Sequence, residues 1–207
     1  MKKVRFMILL LLGLSGMLIG CSTTELEERC FPMLVSVGYE DGEVTYDMEF
    51  PKEENGKLQG HSAKKSSFYE AKESYENRLN KDADYNHLKV LVIEDDFLEQ
   101  KKAFMDMLDV LAQTEVYPRN TYVCVMEDVD DWDEIRGSLS QDLGTYLEEY
   151  LKKKEEKKNR LLTLGDLIDE KENQTMVMYL PYLEVEENFI QWKGYVNTSG
   201  KVWKESY

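Results

Sequence analysis

Leu88-Lys89-Val90-Leu91-Val92-Ile93 is a short, nearly all-apolar run in a chain where charged residues make up 32%. Strands open to water on one face alternate in polarity, so a run this uniform predicts a strand covered on both faces. Glu94, Asp95 and Asp96 follow, where acids favour the start of a helix. Phe97, Phe104, Leu108 and Leu111 carry that helix's inner face. Tyr117-Pro118-Arg119-Asn120 then turns the chain into Thr121-Tyr122-Val123-Cys124-Val125-Met126, a second β-rich run. Strand, helix and strand of these lengths predict a parallel βαβ unit with a right-handed crossover.

Towards the N-terminus, Met33, Val35, Val37 and Tyr39 alternate with Leu34, Ser36 and Gly38. Val44, Tyr46, Met48 and Phe50 alternate with Thr45, Asp47 and Glu49. The turn dipeptide Asp41-Gly42 joins the two runs into a β-hairpin whose second strand has one wet face. Pro51 ends it, and the polar stretch 52–66 reads as a loop. Ser67-Phe68-Tyr69-Glu70 has the form of a capping box, and Phe68, Ala71, Tyr75 and Leu79 mark the buried stripe of a helix. Towards the C-terminus, Leu143, Tyr146, Leu147, Tyr150 and Leu151 share a helix face that runs on into a solvated stretch, 152–158. Leu162, Leu164, Leu167 and Ile168 suggest a shorter helix, and two β-rich runs, 175–185 and 189–203, close the chain. The fold class is therefore α/β: a mixed β-sheet flanked by helices, with an N-terminal β-hairpin and a βαβ unit. A single domain is expected over 32–207.

The first residues have a different character. Met1-Lys2-Lys3-Val4-Arg5 is basic, Phe6 to Ile19 is apolar apart from glycine and serine, and polarity returns at Ser22-Thr23-Thr24. That order describes a secretory signal peptide over 1–20, too short to be a spanning helix. Leu18-Ile19-Gly20-Cys21 resembles the lipobox of bacterial lipoproteins, whose cysteine receives a diacylglyceryl group and becomes the new N-terminus. Two acyl chains make a stable anchor, at about 0.8 kcal/mol per buried methylene. Residues 21–31 would then be a lipidated tether, with Cys21 the attachment point and the body outside the cytoplasm. The bland alternative is an ordinary signal peptide with an incidental cysteine.

The acidic balance bounds the partners. A net charge of −15 argues against nucleic acid, which needs a basic footprint. It also disfavours adhesion of the body to an anionic bilayer, leaving the lipid to anchor it. Cys30 and Cys124 could pair in an oxidising compartment or remain two buried thiols; the apolar run around Cys124 favours the latter.

Chemistry-bearing patterns are few. His61 lies in a polar loop and His87 just before a strand, neither with a ligand partner at metal spacing, and His87 reads as a local structural residue. No nucleophile elbow, P-loop or dinucleotide fingerprint is present. Asp128, Asp130, Asp131, Asp133 and Glu134 form the one dense acidic cluster, but Trp132 and Asp133 stand where a calcium loop needs an oxygen ligand and glycine. No catalytic residue, metal ligand or cofactor is expected. Trp192, Tyr195 and Trp203 give the last third an aromatic character that suits either an interface or terminal core strands, and they are the candidate interface.

The order of these pieces resembles the Ger(x)C family of spore germination lipoproteins, the C-type subunits of nutrient germinant receptors. The resemblance begins at Cys21 and Glu25-Leu26-Glu27-Glu28, with a first strand ending at Gly38. It continues through Phe68-Tyr69-Glu70-Ala71, through Asn86-His87-Leu88-Lys89-Val90-Leu91-Val92-Ile93, and through Pro118-Arg119-Asn120-Thr121-Tyr122-Val123. Leu162-Thr163-Leu164 and Leu180-Pro181 fit its later part. Full-length members look like three-domain proteins, and this chain corresponds to the first domain alone. The family's glycine-rich strand after Trp192 is here Gly194-Tyr195-Val196-Asn197-Thr198-Ser199-Gly200. The resemblance implies a non-enzymatic, lipid-anchored subunit beside polytopic membrane partners that sense nutrients and start germination, placed on the spore inner membrane. Only Cys21 carries over as a functional residue. The alternative is a stand-alone cell-envelope lipoprotein that binds another ligand or protein.

Overall fold

The computed structural model describes residues 28–51, 62–114, 116–127, 132–155, 162–173, 178–186, 189–198 and 202–204. In chain order the strands and helices begin with β1 (Arg29–Cys30), β2 (Leu34–Glu40), β3 (Glu43–Glu49), β4 (Ala63–Lys65) and α1 (Phe68–Glu76). Then come β5 (Asp82–Ala83), β6 (Val90–Glu94), α2 (Asp95–Glu99), α3 (Lys101–Thr114), β7 (Tyr122–Met126) and α4 (Trp132–Ser138). The series ends with α5 (Leu143–Glu155), β8 (Leu162–Thr163), α6 (Leu164–Glu172), β9 (Tyr179–Glu186), β10 (Phe189–Asn197) and β11 (Val202–Lys204).

One mixed sheet runs β11-β10-β9-β7-β6-β2-β3-β4, with β8 beside β7. Its centre is parallel, β2 with β6, β6 with β7 and β7 with β9, and its flanks are antiparallel. The central run is buried on both faces because alternate side chains leave the sheet in opposite directions. Leu91, Ile93, Val123 and Val125 enter a core beneath α1, α2, α3 and α6. Val90, Val92, Cys124 and Met126 enter a second core with Ile135 of α4 and Leu143, Leu147 and Leu151 of α5. The sheet is thus the middle of three layers.

The hairpin forms as expected, with Asp41 at φ 53° and Gly42 at φ 86°, the positive values a two-residue primed turn requires. Four expectations change. The face of β3 read as wet is covered: Thr45 and Glu49 are buried, because α4 and α5 close over it. The loop over 52–66 contains the short edge strand β4, where Ala63 is buried and Lys64 and Lys65 face water. The tether over 21–31 ends sooner, since β1 pairs with β5 and Cys30 is fully buried. Finally, 189–203 forms two antiparallel strands, β10 and β11.

Cys30 and Cys124 are not joined in a disulfide, and one lies buried in each core. Burial pushes the Cys124 thiol up to about 12. His87 is exposed, edge-on to Phe31 at 4.9 Å.

Candidate functional site

The motifs before β6, before β7 and at the start of α6 meet at one end of the sheet. The Lys89 amide donates to the Met33 carbonyl (3.0 Å), and the Tyr122 amide donates to the Lys89 carbonyl (2.9 Å). The Thr121 hydroxyl donates to the Leu88 carbonyl (3.3 Å), and the Leu164 amide donates to the Thr121 carbonyl (2.8 Å). The Gly165 amide donates to the Arg119 carbonyl (2.8 Å), while the Arg119 guanidinium reaches back to the Gly165 carbonyl and the Asp169 carboxylate. Lys89 completes the belt, its ammonium bonding the Thr145 hydroxyl at 3.0 Å and standing 3.1 Å from the Glu148 carboxylate on α5. Open α/β sheets bind ligands at the carboxyl ends of their parallel strands. These motif residues lie at the opposite ends and satisfy one another, which makes them fasteners of the fold.

Two buried polar clusters flank the sheet. On the α1 side, the Tyr46 hydroxyl bonds those of Tyr117 (2.5 Å) and Tyr85 (3.1 Å), and Tyr85 donates to Glu76 (2.6 Å). Burial pushes the pKa of all three phenols up and so disfavours their ionisation, and for Tyr46 and Tyr85 the neighbouring Tyr117 adds to it. They are neutral hydroxyls that satisfy each other inside an apolar layer. On the α5 side, the Glu49 carboxylate accepts the amides of Leu143 (2.9 Å) and Gly144 (2.8 Å), the first turn of α5. Arg136 stands beside it, with Nη2 3.2 Å from Asp47 and Nε 3.9 Å from Glu49. Burial raises the Glu49 carboxyl above its usual range, against the lowering effect of the two amides and of Arg136. Gly144 is required there because a Cβ would come 2.6 Å from the Met33 carbonyl oxygen.

At the carboxyl ends of the parallel strands the rim is acidic. Tyr182 sits among Asp95, Glu127 and Glu184, and burial followed by those charges pushes its hydroxyl up to about 12. Among the described residues, no group of three or more His, Cys, Asp or Glu side chains is arranged to hold a metal ion. No described helix is long and apolar enough to cross a membrane.

Cys21 and the lipobox residues Leu18, Ile19 and Gly20 lie outside the described residues, as do His61 and Asp128, Asp130 and Asp131. Of the aromatic residues expected at an interface, Trp192 is a core residue at 8% exposure. A register shift between Trp192 and Gly194 brings Trp192 and Tyr195 into edge-on contact at 5.2 Å, beside α5. The Trp192 amide donates to the Tyr150 hydroxyl (2.8 Å), while its indole N–H has no hydrogen-bond partner among the described residues. Tyr195 is half-buried, and Trp203 stands directly across from it on β11. Glu49 and the tyrosine cluster carry no sequence motif. The alternation that marks Glu49 as polar also predicts solvent there, so nothing local announces its burial.

Comparison with known proteins then bears on this architecture. A family model described as the spore germination protein N-terminal domain matches residues 22–185. The chain belongs to that family. No curated protein and no solved structure matches it. The matched span of this germination domain takes in the hydrogen-bonded belt, both buried clusters and most of β9, with β10 and β11 beyond it. A role in spore germination follows from the membership.

Proposed function

We propose that this chain is a non-catalytic, lipid-anchored subunit of a spore nutrient germinant receptor, held by Cys21 on the extracytoplasmic face beside polytopic partners. The match over residues 22–185 to a spore germination domain carries the reading. Two observations support it. Leu18-Ile19-Gly20-Cys21 stands at the end of a signal-like segment, directly before the matched span. The described polar clusters are consumed by the fold: Glu49 caps α5, Lys89 ties β6 to α5, and Tyr46 links two other tyrosines. With Cys21 as first residue, Glu28 stands within about 25 Å of the anchor, seven residues at roughly 3.5 Å each. The body is therefore kept close to the bilayer that holds its partners.

Replacing Cys21 by alanine tests this directly. The variant should leave the membrane fraction, and spores carrying it should answer nutrients more weakly. A Cys21→Ala chain that stays in the membrane fraction at the wild-type level contradicts the anchored reading.

A further inference from the structure

The segment that follows Cys21 joins the body at a defined place. β1 pairs in parallel with β5, the Asp84 amide donates to the Cys30 carbonyl (2.8 Å), and Arg29 bridges Asp84 at 3.0 Å. Phe31 stands edge-on to His87, and the Lys89 amide donates to the Met33 carbonyl (3.0 Å). Arg29 also lines one open recess with Asn86 and with Val116, which precedes β7. All these contacts are with segments that lead into β6 and β7. Arg29 is therefore fixed at the amino ends of the parallel strands.

The two ends of those strands differ in charge. The segments leading in, 28–33, 77–89 and 116–121, hold five Lys or Arg residues against three Asp or Glu. Glu148 of α5 and Asp169 of α6 pair there with Lys89 and Arg119, which brings the signs level. The segments leading out, 40–43, 94–99, 127 and 184–186, hold ten acids and no Lys or Arg. Lys64 and Lys193 pair into this rim, and Lys65, Lys101 and Lys102 stand near it. Those five lysines offset half of its charge and leave the rim acidic.

We propose that the body faces the bilayer with the amino ends of its parallel strands towards the lipid headgroups and its acidic rim turned away. The proposal rests on the anchored reading of Cys21 and adds an orientation to it. Reach is the first constraint. Glu28 stands within about 25 Å of the anchor. The rim lies about 20 Å further along β2, from Leu34 to Glu40, at roughly 3.3 Å per residue. Turning the rim to the bilayer would take nearly the whole reach of 21–28, whereas the amino ends need none of it. Charge is the second constraint. An anionic headgroup layer repels the acidic rim over a Debye length of about 8 Å, and it does not repel an end whose charges are level. Both constraints select the same orientation.

The test uses the full lipidated chain in vesicles of phosphatidylcholine and phosphatidylglycerol that carry a nitroxide on some headgroups. Each chain bears one bimane label, a fluorophore that the nitroxide quenches at short range. Asn86→Cys and Asn120→Cys place the label at the amino ends, and Glu43→Cys and Gln100→Cys place it at the rim. All four positions are exposed, while the native Cys30 and Cys124 are buried and Cys21 carries the lipid. Quenching should be about threefold or more stronger at 86 and 120 than at 43 and 100, since the two ends lie about 20 Å apart. Equal quenching at all four positions, or stronger quenching at the rim, in chains that float with the vesicles overturns the orientation and leaves the anchor intact. Chains that do not float with the vesicles fail the anchored reading itself, and the orientation falls with it.

Discussion

The two outer layers of the molecule are held to the sheet in different ways. On one side α1, α2, α3 and α6 bring apolar stripes, and the polar groups they enclose are neutral phenols bonded to one another. On the other side α4 and α5 cover the sheet with a smaller apolar patch, and the start of α5 is pinned by a buried carboxylate. A neutral network loses little when one hydroxyl goes, because its neighbours retain other partners. A buried charge that satisfies two amides leaves both exposed to the full cost of desolvation when it is removed. The four-helix layer should therefore be robust, and the α4–α5 layer should hinge on Glu49.

Glu49→Ala is expected to have the largest effect, about 3 kcal/mol of lost stability, measurable by chemical denaturation. The two native thiols report which layer responds, because Cys30 lies in the four-helix core and Cys124 in the α5 core. Peptide-resolved thiol labelling of Glu49→Ala under native conditions should modify Cys124 well before Cys30. Equal labelling of both would erase the distinction between the layers.

Tyr46→Phe is expected to cost less, about 1–2 kcal/mol, since Tyr85 keeps its bond to Glu76 and the ring still packs. A loss as large as that of Glu49→Ala would show that the phenol network is as critical as the carboxylate.

The smallest effect is one of pH, and two carboxylates that hold α5 should show it with opposite sign. Glu49 is raised by burial, so its charged form is disfavoured in the folded state. The stability it contributes is present below the ordinary carboxylate range and falls as pH rises through its folded value. Burial acts on Glu148 as well, but hydrogen bonds from Lys152 and Lys89 hold it below the usual range. Its contribution is present above the ordinary value and is lost as pH falls. In denaturation curves across pH, Glu49→Gln should remove the decline on the alkaline side, and Lys89→Met should soften the decline on the acid side. Identical pH profiles for both variants and the wild type would show that neither group is coupled to folding.

Much of the fold was legible from residues 88–126. A run without alternation has only one stable place in a small α/β domain, between two layers, and β6 and β7 occupy it. Asp41-Gly42 likewise leaves little choice of turn. What failed to show is where polar side chains are enclosed. Asp47 and Glu49 read as solvent-facing because period-two patterning records polarity, and burial of Glu49 depends on a helix about 95 residues later. The capping box read at Ser67 is half realised: its hydroxyl takes the Glu70 amide, but the Glu70 carboxylate turns to Ser66. The complete box is at Thr163 and Asp166, an acid one methylene shorter than the usual pattern. Composition alone places Trp192 with the interface aromatics, because it does not reveal that Tyr150 and Lys154 close over it.

The receptor reading is tested most directly by mass spectrometry of what co-purifies with the tagged chain from detergent-solubilised membranes of sporulating cells. Polytopic germinant-receptor subunits should be recovered with it in stoichiometric amount. Recovery of the tagged chain alone, from spores shown to contain those subunits, would contradict that reading and favour the alternative of a stand-alone cell-envelope protein.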